Sequence, residues 1–179
     1  MATFSDKYGA QNLKIIPLHN PESDGTCSCG DKECKSVGKH PRINAWQKEA
    51  TNDISKIREW KKKWPNMNVG IITGKESGIF VVDIDPRHDG GKSLEGFERE
   101  HGKLPPTLTV LTGGGGEHLY YKYPKDIKIS NRQEVLPGID VRAEGGYIVD
   151  PPSIHASGKQ YAFENTDFEY DKIDRKSVV

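Results

Sequence analysis

The sequence predicts a mixed α+β fold for its 179 residues, on three observations. Short apolar runs bounded by Gly and Pro recur along the chain, and two stretches carry helical spacing. No run reaches the ~18 apolar residues of a membrane span. At this length residues 1–179 are expected to form a single domain, whose lobes, if two, share one core.

In chain order, 13–18 reads as a strand and 20–42, rich in Gly, Ser and Cys, as an aperiodic loop that needs a staple. Thr51-Asn52-Asp53 offers N-cap residues for a helix carrying Ile54, Ile57, Trp60 and Trp64, which Pro65 stops. Val69–Thr73 and Ile79–Ile84 flank a Gly-bounded turn and are expected to pair. Ser93–His101 is a second helix. Leu108–Leu111 and Leu119–Tyr123 are strands around a four-glycine loop. Ile139–Val141 and Tyr147–Val149 are a further pair around Gly145-Gly146. From about 165 the chain is a polar tail.

Lys+Arg and Asp+Glu both number 26, so no global positive field draws in phosphate. Nucleic-acid binding would have to rest on local patches or bound metal ions. One such patch is the helix near 53–64, with Lys56, Arg58 and Lys61 to Lys63 beside two tryptophans. The other reading is a solvated basic face over buried indoles. An acidic surface at 164–174 would balance the charge. Met1–Ala10 lacks the apolar region of a signal peptide, and an odd number of cysteines, 3, fits a reducing cytoplasm.

The most informative stretch is Ile79-Phe80-Val81-Val82-Asp83-Ile84-Asp85. Period-two alternation puts Asp83 and Asp85 on one face, about 7 Å apart, opposite Phe80, Val82 and Ile84. Paired carboxylates repel unless a cation lies between them, and hard ions such as Mg²⁺ take such oxygens. Capping of a strand and turn is the plainer account, and nucleases and glycosyltransferases also use Asp-x-Asp. Thr112-Gly113-Gly114-Gly115-Gly116-Glu117-His118 could bring backbone N–H groups close to an anion, with His118 at its exit. It could equally be a hairpin loop with a surface histidine. It is neither a P-loop nor a dinucleotide fingerprint. Asp140, with Arg142 on its own face, completes a three-carboxylate set or forms a simple ion pair. Cys27, Cys29, Cys34 and His40 supply the Cys₃His set of one structural Zn²⁺ in a loop at about 26–41, with His19 as an alternative fourth ligand. Unligated thiols are the competing reading.

In this order, Val81-Val82-Asp83-Ile84-Asp85, Gly116-Glu117-His118 and Ile139-Asp140 resemble the motifs of the archaeo-eukaryotic primase superfamily. More closely the chain is similar to the bifunctional primase–polymerase domains of plasmids and phages. That likeness extends to Gly38-Lys39-His40-Pro41, Asn68-Val69-Gly70-Ile71-Ile72-Thr73-Gly74, Pro151-Pro152-Ser153 and Gly158, and covers roughly 13–163. One departure is Gly116, where such proteins commonly have Ser.

The resemblance implies a two-lobed fold, an N-terminal αβ lobe and an RRM-like lobe around a shared catalytic cleft. It implies a DNA primase and DNA polymerase, a nucleotidyltransferase of plasmid or phage DNA replication. Asp83, Asp85 and Asp140 would hold two Mg²⁺ or Mn²⁺ ions, and His118 would contact the phosphates of the incoming nucleotide. Gly115, Gly116, Arg142 and Lys75 are further phosphate-binding candidates. Implied partners are DNA template and primer, dNTPs or NTPs, and a helicase domain or protein, since the chain has no Walker motif. The rival readings are a non-catalytic zinc-bearing nucleic-acid binding module of the same fold and a different Asp-x-Asp metal enzyme.

Overall fold

A computed structural model describes residues 11–164; the polar tail, the acidic 165–174 and Met1–Ala10 lie outside the described residues. Nine strands and few helices give the mixed α+β class among those residues.

A three-stranded antiparallel sheet has the order β1-β2-β8, with β1 at Ile15–Leu18, β2 at Asn68–Ile72 and β8 at Tyr147–Asp150. A six-stranded antiparallel sheet has the order β6-β7-β3-β5-β4-β9. Its strands are β3 (Ile79–Ile84), β4 (Leu108–Leu111), β5 (Glu117–Lys122), β6 (Arg132–Leu136), β7 (Ile139–Arg142) and β9 (Ala162–Phe163). Helices α1 (Trp46–Glu49), α2 (Ile54–Lys63) and α3 (Gly90–His101) complete the chain, with a 3₁₀ turn at Pro86–His88. Of these, α1, β6 and β9 carry too little periodicity to be read from sequence.

The sheets share one core. Ile15, Val69, Ile71 and Ile148 of the smaller sheet pack with Val81, Leu108, Val110 and Tyr120 of the larger. Alternation on β3 then explains the cleft. Ile79 and Val81 point into this core, and the next residues on that face are Asp83 and Asp85, where the sheets part. Phe80 belongs to a second cluster on the far face, with Tyr121 and Ala143.

Helix α2 begins at an Asp53 cap that accepts from the Ser55 amide, and it buries Ile57 and Trp60. Lys61, Lys62 and Lys63 in its last turn complement the helix dipole. Trp60 is 8% exposed and Trp64 packs half-buried on the core. The indoles are therefore core residues and not platforms for bases, which removes the aromatic half of the basic-patch reading.

Two expected pairings are corrected. β2 and β3 do not pair, apart from an isolated Gly74–Ile79 bridge in the turn between them, and β7 and β8 fall in different sheets. Both glycine turns carry the chain from one sheet to the other. Every residue of β2 is buried, as befits a central strand paired on both edges, by β1 and β8. The expected hairpin of β4 with β5 does form, with Leu108 opposite Tyr120.

Helix α3 starts at Gly90, three residues before the expected Ser93. Its two leading glycines suggest a break, but a Cβ on Gly90 would collide with the backbone of Asp85 and Gly138. Close approach, and not flexibility, requires Gly there. Because β3 and β4 both pair antiparallel with β5, they run parallel with one strand between them, joined through α3. That is a split β-α-β unit. No helix among the described residues is long and apolar enough to cross a membrane.

Candidate active site and metal-binding loop

Sheet register assembles the carboxylates. Asp83 on β3 lies directly opposite His118 on β5 and opposite Asp140 on β7. Directly opposed residues share a sheet face, so the three stand in a row across it, with Asp85 next along β3. The row faces a cleft of about 690 Å³ between the two sheets. Asp83, Asp85, His118, Asp140 and Arg142 all line it, as do Gly114 and Gly116, whereas Gly115 and Lys75 do not. The Lys75 amide instead donates to the Glu144 carboxylate.

Arg142 binds this row together. Its Nη2 lies 2.6 Å from Asp140 Oδ2 and 3.5 Å from Asp83 Oδ2. The other Asp140 oxygen accepts from the Glu134 amide at 2.7 Å. His118 Nε2 stands 3.6 Å from Asp83 Oδ1. Burial, reinforced by neighbouring Asp140, raises the Asp83 carboxyl above its ordinary value, against the pull of Arg142. Asp85 is held low by hydrogen bonds from Arg87, which grips it through Nε at 3.0 Å and Nη2 at 2.7 Å.

His118 is 4% exposed, and its Nδ1 is buried with no hydrogen-bond partner among the described residues. Burial first, with Lys39 and Arg142 adding, brings the ring down to about 3, so it is neutral near pH 7. The glycine loop is a closed turn. Gly115 donates its N–H to Thr112 O, and Gly116 donates its own to Thr112 Oγ1. Those two amides are engaged within the hairpin. The glycines have a steric reason. A Cβ on Gly116 would overlap the Ile84 carbonyl, and one on Gly113 would overlap His155.

The cleft residues that the sequence reading gave no role include Lys39, Arg87, His155 and Tyr161. Arg87 carried one usable signal, its place two residues beyond Asp85 at the start of a turn. Lys39 stood inside a segment quoted only for resemblance. His155 and Tyr161 carried none, because they reach the cleft through the fold of 151–161. His155 Nδ1 accepts from the Ser157 amide at 3.1 Å, while Ser157 Oγ donates to Gly113 O at 2.7 Å.

The loop at 26–41 gathers a second set. Ligand atoms of Cys27, Cys29, Cys34 and His40 all lie within 4.8 Å of one another. His40 Nε2 is 3.4 Å from Cys27 Sγ and 3.5 Å from Cys34 Sγ. Tetrahedral Zn²⁺, with Zn–S about 2.3 Å and Zn–N about 2.0 Å, sets its ligands roughly 3.3–3.8 Å apart. The donor set and spacing fit that ion. Burial opposes ionisation of the Cys27 thiol, but the Gly38 and Cys29 amides and the His40 ring outweigh it and bring it to about 7. His19 stacks on His40 at 4.4 Å, with its Nδ1 3.0 Å from Ser28 Oγ, and stands outside the ligand set.

Comparison with protein families matches residues 6–175 to the bifunctional DNA primase/polymerase, N-terminal, family (Prim-Pol). The chain belongs to that family, described as DNA primases and polymerases. Comparison with curated proteins finds no match.

Proposed function

We propose that this chain joins nucleotides on a DNA template, with Asp83, Asp85 and Asp140 holding two divalent cations in the cleft. The observation that carries the reading is the register: Asp83 opposite both Asp140 and His118, on the face that opens between the sheets. A carboxylate that is buried and raised by a second carboxylate is stabilised by a cation, and oxygen donors of this kind suit Mg²⁺ or Mn²⁺. When bound, such ions would activate the primer 3′-hydroxyl and neutralise charge building on the α-phosphate.

The chain's own residues do the positioning. Arg142 bridges the free carboxylates against their mutual repulsion and offers a guanidinium to a phosphate once they are engaged elsewhere. Neutral His118 places Nε2 3.6 Å from Asp83, beside the position where the phosphates of the incoming nucleotide would lie. Arg87 must release Asp85 for Asp85 to serve as a ligand, and is then free for the substrate. In the reaction the 3′-oxygen bonds to the α-phosphorus, the bond to the β-phosphate oxygen breaks, and pyrophosphate leaves.

The fold supports the same reading. The split β-α-β unit in the larger sheet suits an RRM-like lobe, and the smaller sheet with the metal loop suits an N-terminal lobe. The loop metal is proposed as one structural Zn²⁺, because four protein ligands leave no open position.

Primer extension with dNTPs and Mg²⁺ or Mn²⁺ tests the assignment. Asp83→Ala and Asp140→Ala are expected to lose at least a hundredfold in rate while keeping the wild-type circular dichroism spectrum. Undiminished extension by either variant would sink it.

A further inference from the structure

Every cation of the cleft but one has a carboxylate partner. Arg87 is paired with Asp85, and Arg142 with Asp140 and Asp83. Lys39 also lines the cleft and is half-buried, yet among the described residues its ammonium makes no ion pair and no side-chain hydrogen bond. Its electrostatic neighbours are Arg87, Asp83, Asp85 and Arg142. Burial and the two guanidiniums oppose its charge. Asp83 and Asp85, which favour it, are already engaged by Arg142 and Arg87, so an incoming anion would find an ammonium that no carboxylate of the described residues holds at contact distance.

The backbone around Lys39 is fixed on both sides. The preceding Gly38 has φ +72°, and its carbonyl accepts from buried Asn68 at 2.8 Å. A Cβ on Gly38 would crowd Pro21 and Asn68. The Lys39 amide donates to Ser36 O, and its carbonyl accepts from Tyr147 Oη at 2.9 Å. The next residue, His40, is a member of the metal-ligand set, and its carbonyl accepts from the His19 amide. Lys39 is therefore mounted on the rim of the cysteine–histidine loop with its side chain in the catalytic cleft.

We infer that Lys39 binds the triphosphate of the incoming nucleotide, delivered into the cleft by the metal-binding loop. The inference deepens the nucleotidyl-transfer reading and rests on it for the identity of the nucleotide; the anion site itself does not. The loop then has a role beyond stability, because it sets where this ammonium sits. An ammonium is a compact charge that follows a phosphate without demanding a planar, two-pronged fit, so arginine would replace it in part.

The test is equilibrium binding of inorganic tripolyphosphate, and separately of a dNTP, to the whole chain as wild type, Lys39→Ala and Lys39→Arg. Bound metal and the thermal midpoint are measured on each. Lys39→Ala is expected to weaken both ligands about tenfold or more, and Lys39→Arg to recover most of that. Metal content should match wild type in both variants, since Lys39 is no ligand. In primer extension Lys39→Ala should raise the KM for dNTP more than it lowers kcat. Tripolyphosphate binding by Lys39→Ala equal to wild type overturns the inference, as does no binding by wild type. Loss of metal from Lys39→Ala would make its role structural, and overturns it too. Wild type that binds tripolyphosphate through Lys39 but never extends a primer would instead remove the polymerase reading and leave the anion site standing.

Discussion

Asp83 is buried in the cleft, opposite a second carboxylate, and stabilised chiefly by Arg142. Removing that guanidinium leaves Asp83 and Asp140 facing each other. Arg142→Ala is therefore expected to lower stability by about 1–2 kcal/mol without divalent ions, between the usual exposed and buried pair values. Millimolar Mg²⁺ should restore most of it, and so raise the melting temperature of the variant more than that of wild type. Equal Mg²⁺ shifts for the two proteins would contradict a cation site between these carboxylates. At this scale the sequence was legible where chemistry and local periodicity coincide. Alternation on one strand was enough to put Asp83 and Asp85 on a common face. It could not show Lys39 or His155, whose approach to that face is set by how distant loops are anchored, nor that Arg87 would grip Asp85.

Glycines divide the elements into those that need them and those that merely contain them. Gly113 sits against His155, where a Cβ has no room, so Gly113→Ala should cost about 1–3 kcal/mol by overpacking. Gly96, in the middle of α3, has nothing near its Cβ position, so Gly96→Ala should stabilise by about 0.5–1 kcal/mol through helix propensity. Thermal unfolding of the two variants checks the contrast, and shifts of the same sign would refute it. The same distinction explains which pairings could be read in advance. The four-glycine loop joins two strands of similar alternating character, and β4 and β5 pair across it. The turns at Gly74–Gly78 and Gly145–Gly146 look alike in sequence but step between sheets. Turn chemistry reports that the chain reverses, not which layer it returns to.

Across the whole molecule, a buried hydrogen bond joins the two sheets that enclose the cleft. Tyr120 of β5 donates its hydroxyl to Asp150 of β8 at 3.1 Å, with both residues fully buried. Tyr120→Phe should cost about 1–3 kcal/mol, the penalty of withdrawing a partner from a buried carboxylate. A stability unchanged from wild type would show that this bond is not what joins the sheets. The cysteine–histidine loop is pinned to the smaller sheet through Tyr147 and His19. A strong chelator should release about one Zn²⁺ per chain and lower the melting temperature, because ion binding contributes directly to folding. Freshly purified protein without zinc would remove that claim. Overall layout was the least legible level, since it depends on contacts between segments far apart in the chain, while family membership was legible from the order of short motifs. The most direct measurement is single-nucleotide incorporation on a primed template, wild type against Asp83→Ala/Asp85→Ala, scored for both extended primer and released pyrophosphate. The account predicts that wild type adds only the nucleotide complementary to the template base, with one pyrophosphate per addition, and that the double variant adds none. Incorporation that ignores the template, or that survives the loss of both carboxylates, would contradict it.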